Sequence, residues 1–565
     1  MKKIKLLICI SLFTFSFSFS IPCQGQSWMW GRQGSGGTKY NDYGASVATN
    51  KNGDAYLSKQ YLSQITFAPD TLRGSPNDNM YFIKYNSAGA LQWAIQPHQS
   101  YSAQVIVGSL ATDPAGNVII TGSFSDSLVF GSYKLYTISL ATFVVKYTSN
   151  GTVVWAMQSG GNAMPSSIST DDKGNSYITG HFLSTTNFGA YTLINSAGGG
   201  QGVFYLFKLD PNGNVLWAKQ STHPNSLSSS EGYGVITDKS GNSYVTGYII
   251  DSVHFGASKL YANAPPYGAR GAAFIAKYDS AGNILWAKQA TIPTQASWGI
   301  GYGVTVDKTG NLYITGYFKD TMSFGSTNLI AKDSSIFLAK YDPSGNLVWA
   351  EQSGNGSWMG YSLAADAKGN VYMGGVGHTD SLTFGGSTFY NPVHHNSSFI
   401  LKLSSNGTTL CGSTLKNGGG TGRNFEGIAC DSTGQYVYET GDLFLDSAFV
   451  GSDILIANSG TAPYLARWQN CNSTDDITTI NTDKPIITLF PNPNNGAFTL
   501  LTVGTQNFVS ATIEIYNVLG EKVYSNTVTS PSYKVNLSGH PKGIYLYRVI
   551  NENGKPIGDG KFIIK

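Results

Sequence analysis

The chain is 565 residues long, with 67 glycines, 13% aromatic residues and only 12% charged residues. One ordinary core cannot absorb that length, so several domains or a repeat array are expected. Low charge with many aromatics excludes a disordered chain, and a net charge of +3 gives no electrostatic case for nucleic acid or an anionic membrane. The composition points to a turn-rich, all-β secreted protein.

Residues 1–25 read as a secretory signal peptide. Lys2, Lys3 and Lys5 precede an apolar stretch from Leu6 to Ile21, too short for a comfortable membrane span. Cys23 and Gly25 are the small residues expected before a cut after Gly25, and Pro22 is wrong for lipoprotein processing at Cys23. No later segment is apolar for long enough to span a bilayer. Cleavage leaves Cys411, Cys430 and Cys471, enough for at most one disulfide plus a free thiol, with no CxxC pair for zinc.

From residue 26 to 470 the chain repeats itself. Trp30, Trp93, Trp155, Trp217, Trp286 and Trp349 recur at intervals of 63, 62, 62, 69 and 63, and Cys411 takes the next place. An aromatic three residues before a base recurs as Tyr81/Lys84, Phe143/Lys146, Tyr205/Lys208, Phe274/Lys277, Phe337/Lys340, Phe399/Lys402 and Tyr464/Arg467. Each unit parses into four strands, typified by Tyr302–Asp307 (A), Asn311–Gly316 (B), Ile336–Tyr341 (C) and Asn346–Gln352 (D). The A–B and C–D turns read Asp-x-x-Gly, where Asp caps its own turn and Gly accepts the positive φ. Four antiparallel strands without helical periodicity make a propeller blade.

The seventh unit stops at Tyr464–Asn470 without a D strand, and an orphan D strand, Ser27–Gln33, opens the mature chain. Pairing the two closes a ring of seven blades and removes exposed edges. The recurring Trp and the strand-C Lys are then scaffold, packing and bonding between blades. The pattern D-x-x-G-N-x-Y-x-T-G, then F-G, then F-I-A-K-Y-D-x-x-G-N-x-x-W-A-x-Q resembles the SBBP β-propeller repeat of bacterial secreted proteins, over roughly Trp30 to Arg467. That resemblance implies architecture and no particular activity.

A polar linker, residues 471–486, leads to a small β-sandwich at 487–565, with hairpins turning at Leu519-Gly520 and Asn553-Gly554. This end resembles the type A C-terminal sorting domain of type IX secretion cargo. The matching residues are Pro491, Asn492, Pro493 and Gly496, then Ile515-Tyr516-Asn517 with Gly520, then Pro541 to Tyr545 including Gly543, and the last strand from Lys561. The resemblance implies the type IX machinery as partner and a product released or attached at the cell surface.

No histidine pair has metal-ligand spacing and no G-x-S-x-G elbow occurs, so no catalytic residue, metal or cofactor is assigned. The D–A and B–C connections share the face without the tight turns, and they vary, as binding loops do. Trp298 and Trp358 break the repeat there, and Tyr43, Tyr233, Tyr302 and Tyr361 approach the same rim. These six are the candidate ligand-binding residues, either stacking on a glycan or protein or simply packing the blade tops. Two readings follow: a monomeric, non-catalytic propeller that binds glycan or protein, or a secreted hydrolase, lyase or quinoprotein using the same face.

Overall fold

The computed structural model describes residues 28–36, 46–196, 201–262, 271–294, 296–354, 356–379, 381–390, 397–417, 422–444, 447–450, 453–457, 461–468, 471, 486–490, 494–503, 510–530, 532–552, 554 and 556–565. The expected signal peptide, Tyr43, most of the linker and the Pro491-Asn492-Pro493 stretch lie outside them. All regular secondary structure among the described residues is β-strand.

The repeat builds a propeller-like series of antiparallel meanders. In the fifth unit strands A to D are Trp298–Val306, Leu312–Phe324, Thr327–Tyr341 and Leu347–Gln352, hydrogen-bonded in that order. The sixth uses Trp358–Ala365, Val371–Gly377, Ser397–Leu403 and Thr409–Thr414 in the same way. In the seventh, Gly422–Cys430, Val437–Phe444 and Thr461–Trp468 take their fourth neighbour from the other end of the chain, Trp28–Gln33. Gly31 stands opposite Ala466 and Gln33 opposite Tyr464.

The recurring Asp-x-x-Gly-Asn has a local cause. In the fifth unit Asp342 Oδ1 accepts the Asn346 N–H (2.8 Å), and the Asn346 amide returns a bond to Oδ2 (2.9 Å). Gly345 between them has φ +82°, a conformation that excludes most side chains.

The repeated base and Trp join neighbouring units. Lys84 donates to Ser149 O, Lys146 to Pro211 O, Lys208 to Ser280 O, Lys277 to Pro343 O, Lys340 to Ser405 O and Lys402 to Cys471 O. Arg467 Nη1 then donates to Ser87 O (2.7 Å), back in the first unit. Trp93, Trp155 and Trp217 give their indole N–H to the same three carbonyls as Lys84, Lys146 and Lys208, and Trp30 bonds Ser87 O. Cys411, at the Trp place of the sixth unit, instead forms a disulfide with Cys471, and Cys430 is the free thiol.

The B–C connections differ from the loops expected. In the fifth unit strands B and C run on as a hairpin arm that turns at Gly325 and Ser326; the sixth unit has a separate arm, Ser381–Phe384 with Ser387–Tyr390. The arms bond the D–A connections of the preceding unit, as in Thr222 with His254, Thr291 with Ser323, and Lys416 with Phe449. Backbone pairing needs no particular side chain, which is why these seams left little trace in the sequence.

After the repeats, the sheet Ile486–Phe490, Ala497–Val503, Ser532–Asn536 shares one apolar core with the sheet Lys522–Val528, Ala511–Asn517, Gly543–Asn551, Pro556–Ile564.

Candidate functional site

In successive units strand A carries one extra residue. The register against strand B slips between Gly232 and Gly234, Gly301 and Gly303, and Gly360 and Ser362, so the bulged residues are Tyr233, Tyr302 and Tyr361. A bulge re-aims its side chain out of the pleat. These three expected residues come together, and each is half-buried.

Tyr302 is at the middle. Its ring stacks on Tyr233 at 4.9 Å (interplanar 4°) and on Tyr317 at 5.6 Å (8°), and Tyr361 meets it edge-on at 5.3 Å. Trp298 joins edge-on to Tyr317 at 5.3 Å, and Tyr248 lies 5.7 Å from Tyr233. Offset and edge-on contacts of this kind add roughly 0.5–1.5 kcal/mol each beyond area burial.

A carboxylate closes one end of the array. Glu231 accepts hydrogen bonds from the hydroxyls of Tyr233 (3.1 Å) and Tyr248 (2.8 Å), and His181 Nδ1 lies 3.4 Å from its Oε2. Burial, and then the Glu231 charge, push both phenol pKa values above the usual tyrosine value, so both remain donors. Burial lowers the His181 pKa and outweighs the opposing pull of Glu231.

Trp358 does not belong to this array. It is 0% exposed, packs edge-on against Phe399 at 5.6 Å, and gives its N–H to Thr379 Oγ1 (2.6 Å) and Ser381 O (3.0 Å). A ring with no exposed surface cannot stack on a ligand, so of the two expected roles Trp358 takes the packing one. Tyr248, Tyr317, Glu231 and His181 were missed. Their signal was present: Tyr248, Tyr317 and His181 each follow the strand-B glycine, in T-G-Y, T-G-Y and T-G-H.

The same positions carry charge elsewhere. The seventh unit's bulged residue is Glu426, and it shares Lys59 Nζ (2.7 Å) with Asp442 (2.7 Å); the Lys59 side chain is 1% exposed. Among the described residues no group of three or more His, Cys, Asp or Glu could hold a metal ion, and no helix is long and apolar enough to cross a membrane.

In the C-terminal sheets, Gly496 (φ +95°), Gly520 (φ +82°) and Gly543 (φ +150°) all sit in the left-handed region. A Cβ on Gly496 would lie 2.5 Å from Ser538 Cα. Tyr545 is buried, stacks on Phe562 at 5.5 Å and donates to Pro541 O (2.7 Å); Lys561 is exposed on the last strand.

Residues 488–565 match the family described as secretion system C-terminal sorting domain. This domain marks proteins exported by the type IX secretion system to the cell surface or the extracellular space. The chain is also similar to an uncharacterised WD repeat-containing protein of Acanthamoeba polyphaga mimivirus, 23% identical over 472 residues, 66% of this chain and 33% of the relative. It thus spans about a third of that protein's length. Among solved structures it is similar to a chain of a mitotic checkpoint complex, at 10% identity and TM-score 0.40, covering 83% of this chain and 99% of that one. A protein of unknown function from Dyadobacter fermentans aligns at 10% identity and TM-score 0.36, covering 78% of this chain and 98% of that one.

Proposed function

We propose that residues 26–470 form a seven-bladed β-propeller of the SBBP-repeat type, closed by the N-terminal strand. On this reading the protein, delivered by its signal peptide and residues 487–565, is a non-catalytic scaffold that binds a glycan or protein outside the cell. Closure is supported by the seventh unit's pairing with Trp28–Gln33 and by the Arg467 bond that returns to the first unit. Binding is supported by one observation above all: three successive units use the same bulge position for half-buried tyrosines that stack into one array. Aromatic rings held on rigid strands at the rim of a scaffold are contact area at low entropic cost.

The test separates delivery from binding. Deleting residues 488–565 leaves a folded, signal-processed protein in the periplasm; normal levels in the medium or on the surface contradict the export reading. Trp298→Ala abolishes retention on whole cells, on extracted glycans or on an immobilised protein fraction that holds the wild type, with unfolding little changed. Undiminished retention on every such surface removes the binding reading.

A further inference from the structure

We propose that the tyrosine array recognises a cationic group, an ammonium or guanidinium, and that Glu231 reads its charge; this deepens the binding reading above and rests on it. The Glu231 side chain is 17% exposed, and its two hydrogen bonds come from neutral phenols. The basic group beside it is His181, whose imidazole burial keeps neutral at pH 7 and so without positive charge to offer. Among the described residues, then, Glu231 is a sheltered carboxylate with no counter-charge, and desolvating such a group is costly until a cation arrives.

The chain itself supplies the contrast. Glu426 and Asp442, which in the seventh unit take the places of Tyr233 and Tyr248, are neutralised internally by the buried ammonium of Lys59. In the fourth unit those two places are phenols that bond Glu231, two residues before the bulge, and among the described residues no lysine pairs with it. Tyr233 and Tyr248 bond it directly, and Tyr302, Tyr317 and Tyr361 continue the array from Tyr233, so the carboxylate lies at the end of an electron-rich aromatic cluster. Such surroundings favour a cation and disfavour an anion. A neutral sugar would gain stacking but leave the Glu231 charge uncompensated.

The experiment uses the mature full-length protein at low salt. Calorimetry compares the peptide Gly-Arg-Gly-Arg-Gly with its citrulline counterpart, which keeps the planar shape and three of the five N–H donors but removes the charge. The arginine peptide is expected to bind about tenfold tighter or more, the equivalent of one modest ion pair. Glu231→Gln brings it down to the citrulline level, whereas Trp298→Ala weakens both peptides alike. Tetramethylammonium bound as tightly as the arginine peptide identifies a small organic cation as the source, and much weaker binding identifies a basic protein segment; either supports the proposal.

Equal binding of the two peptides overturns it, as does no binding of either, or an arginine preference that survives Glu231→Gln. Should Glu231→Gln not fold, the two-peptide comparison on wild-type protein decides alone. If the peptides are ignored but a neutral oligosaccharide binds and is lost in Trp298→Ala, the aromatic face stands as a binding site and only the cation assignment falls. If Trp298→Ala changes nothing that the wild type binds, the face itself is wrong.

Discussion

Trp30→Ala tests how the first strand holds the last unit. Trp30 is 7% exposed, with its ring 5.7 Å from Tyr438 of the seventh unit and 6.4 Å from Tyr85 of the first. Its indole N–H bonds Ser87 O at 3.1 Å, and the Arg32 guanidinium lies 5.3 Å from the ring. Burying roughly 200 Å² of aromatic surface at about 25 cal/mol per Å² stabilises by about 5 kcal/mol as an upper figure. Truncation of a buried Trp to Ala costs about 3–5 kcal/mol, and the lost hydrogen bond falls within that range. Trp349 is the internal comparator: it is half-buried and its indole N–H has no partner, so Trp349→Ala costs less. Guanidinium unfolding of both variants gives the ordering, and limited proteolysis around residues 461–468 reports whether the seventh unit has lost its edge cover. A Trp30→Ala protein within about 1 kcal/mol of wild type refutes the reasoning, as does a costlier Trp349→Ala.

Three further outcomes follow from the same contacts. Cys411 and Cys471 are 60 residues apart, and a cross-link over that span stabilises by about 4 kcal/mol in chain-entropy terms, so dithiothreitol lowers the melting temperature of wild type and leaves Cys411→Ser unmoved; equal responses count against it. Burial lowers the His223 pKa from 6.5 to about 4, so the unfolded chain binds the extra proton; stability is full above about pH 6.5 and falls by up to about 3 kcal/mol toward pH 4, a slope that His223→Gln flattens, and an unchanged slope rejects the assignment. Trp358→Ala costs about 3–5 kcal/mol while the folded fraction keeps its ligand; lost binding at unchanged stability restores Trp358 to the site.

The scaffold was legible because its chemistry is periodic: a turn Asp with its Asn, and a base and a Trp aimed at one carbonyl, recur about every 62 residues. The site was legible only in part, for a reason of register. Trp298 stands four residues before the bulged Tyr302, whereas Trp358 stands three before Tyr361. Successive side chains in a strand point to opposite faces, so that single residue sends one ring to the array and the other into the core. Tryptophan content alone could not distinguish them. Aligning the units on the strand-B glycine would have done so.

That glycine also explains why residues of two strands meet in the array. A Cβ on Gly247 or Gly316 would lie 1.8 Å from the carbonyl oxygen of Glu231 or Ile300. Only glycine lets strand A approach so closely where it bulges, and the residue after the glycine then lies beside the bulged one. Tyr248 thus meets Tyr233, and Tyr317 meets Tyr302. Other units offer the same pair of places: Gly108 and Ser123 occupy them in the second unit, Glu426 and Asp442 in the seventh. If the places are independent of the frame, Tyr302→Gly with Tyr317→Ser, the second unit's own pair, removes ligand binding while costing less stability than Trp358→Ala, because both rings are half-buried. Unfolding and retention measured on that double variant decide the matter. A collapse of stability to the level of Trp358→Ala would show that the tyrosines are frame rather than face.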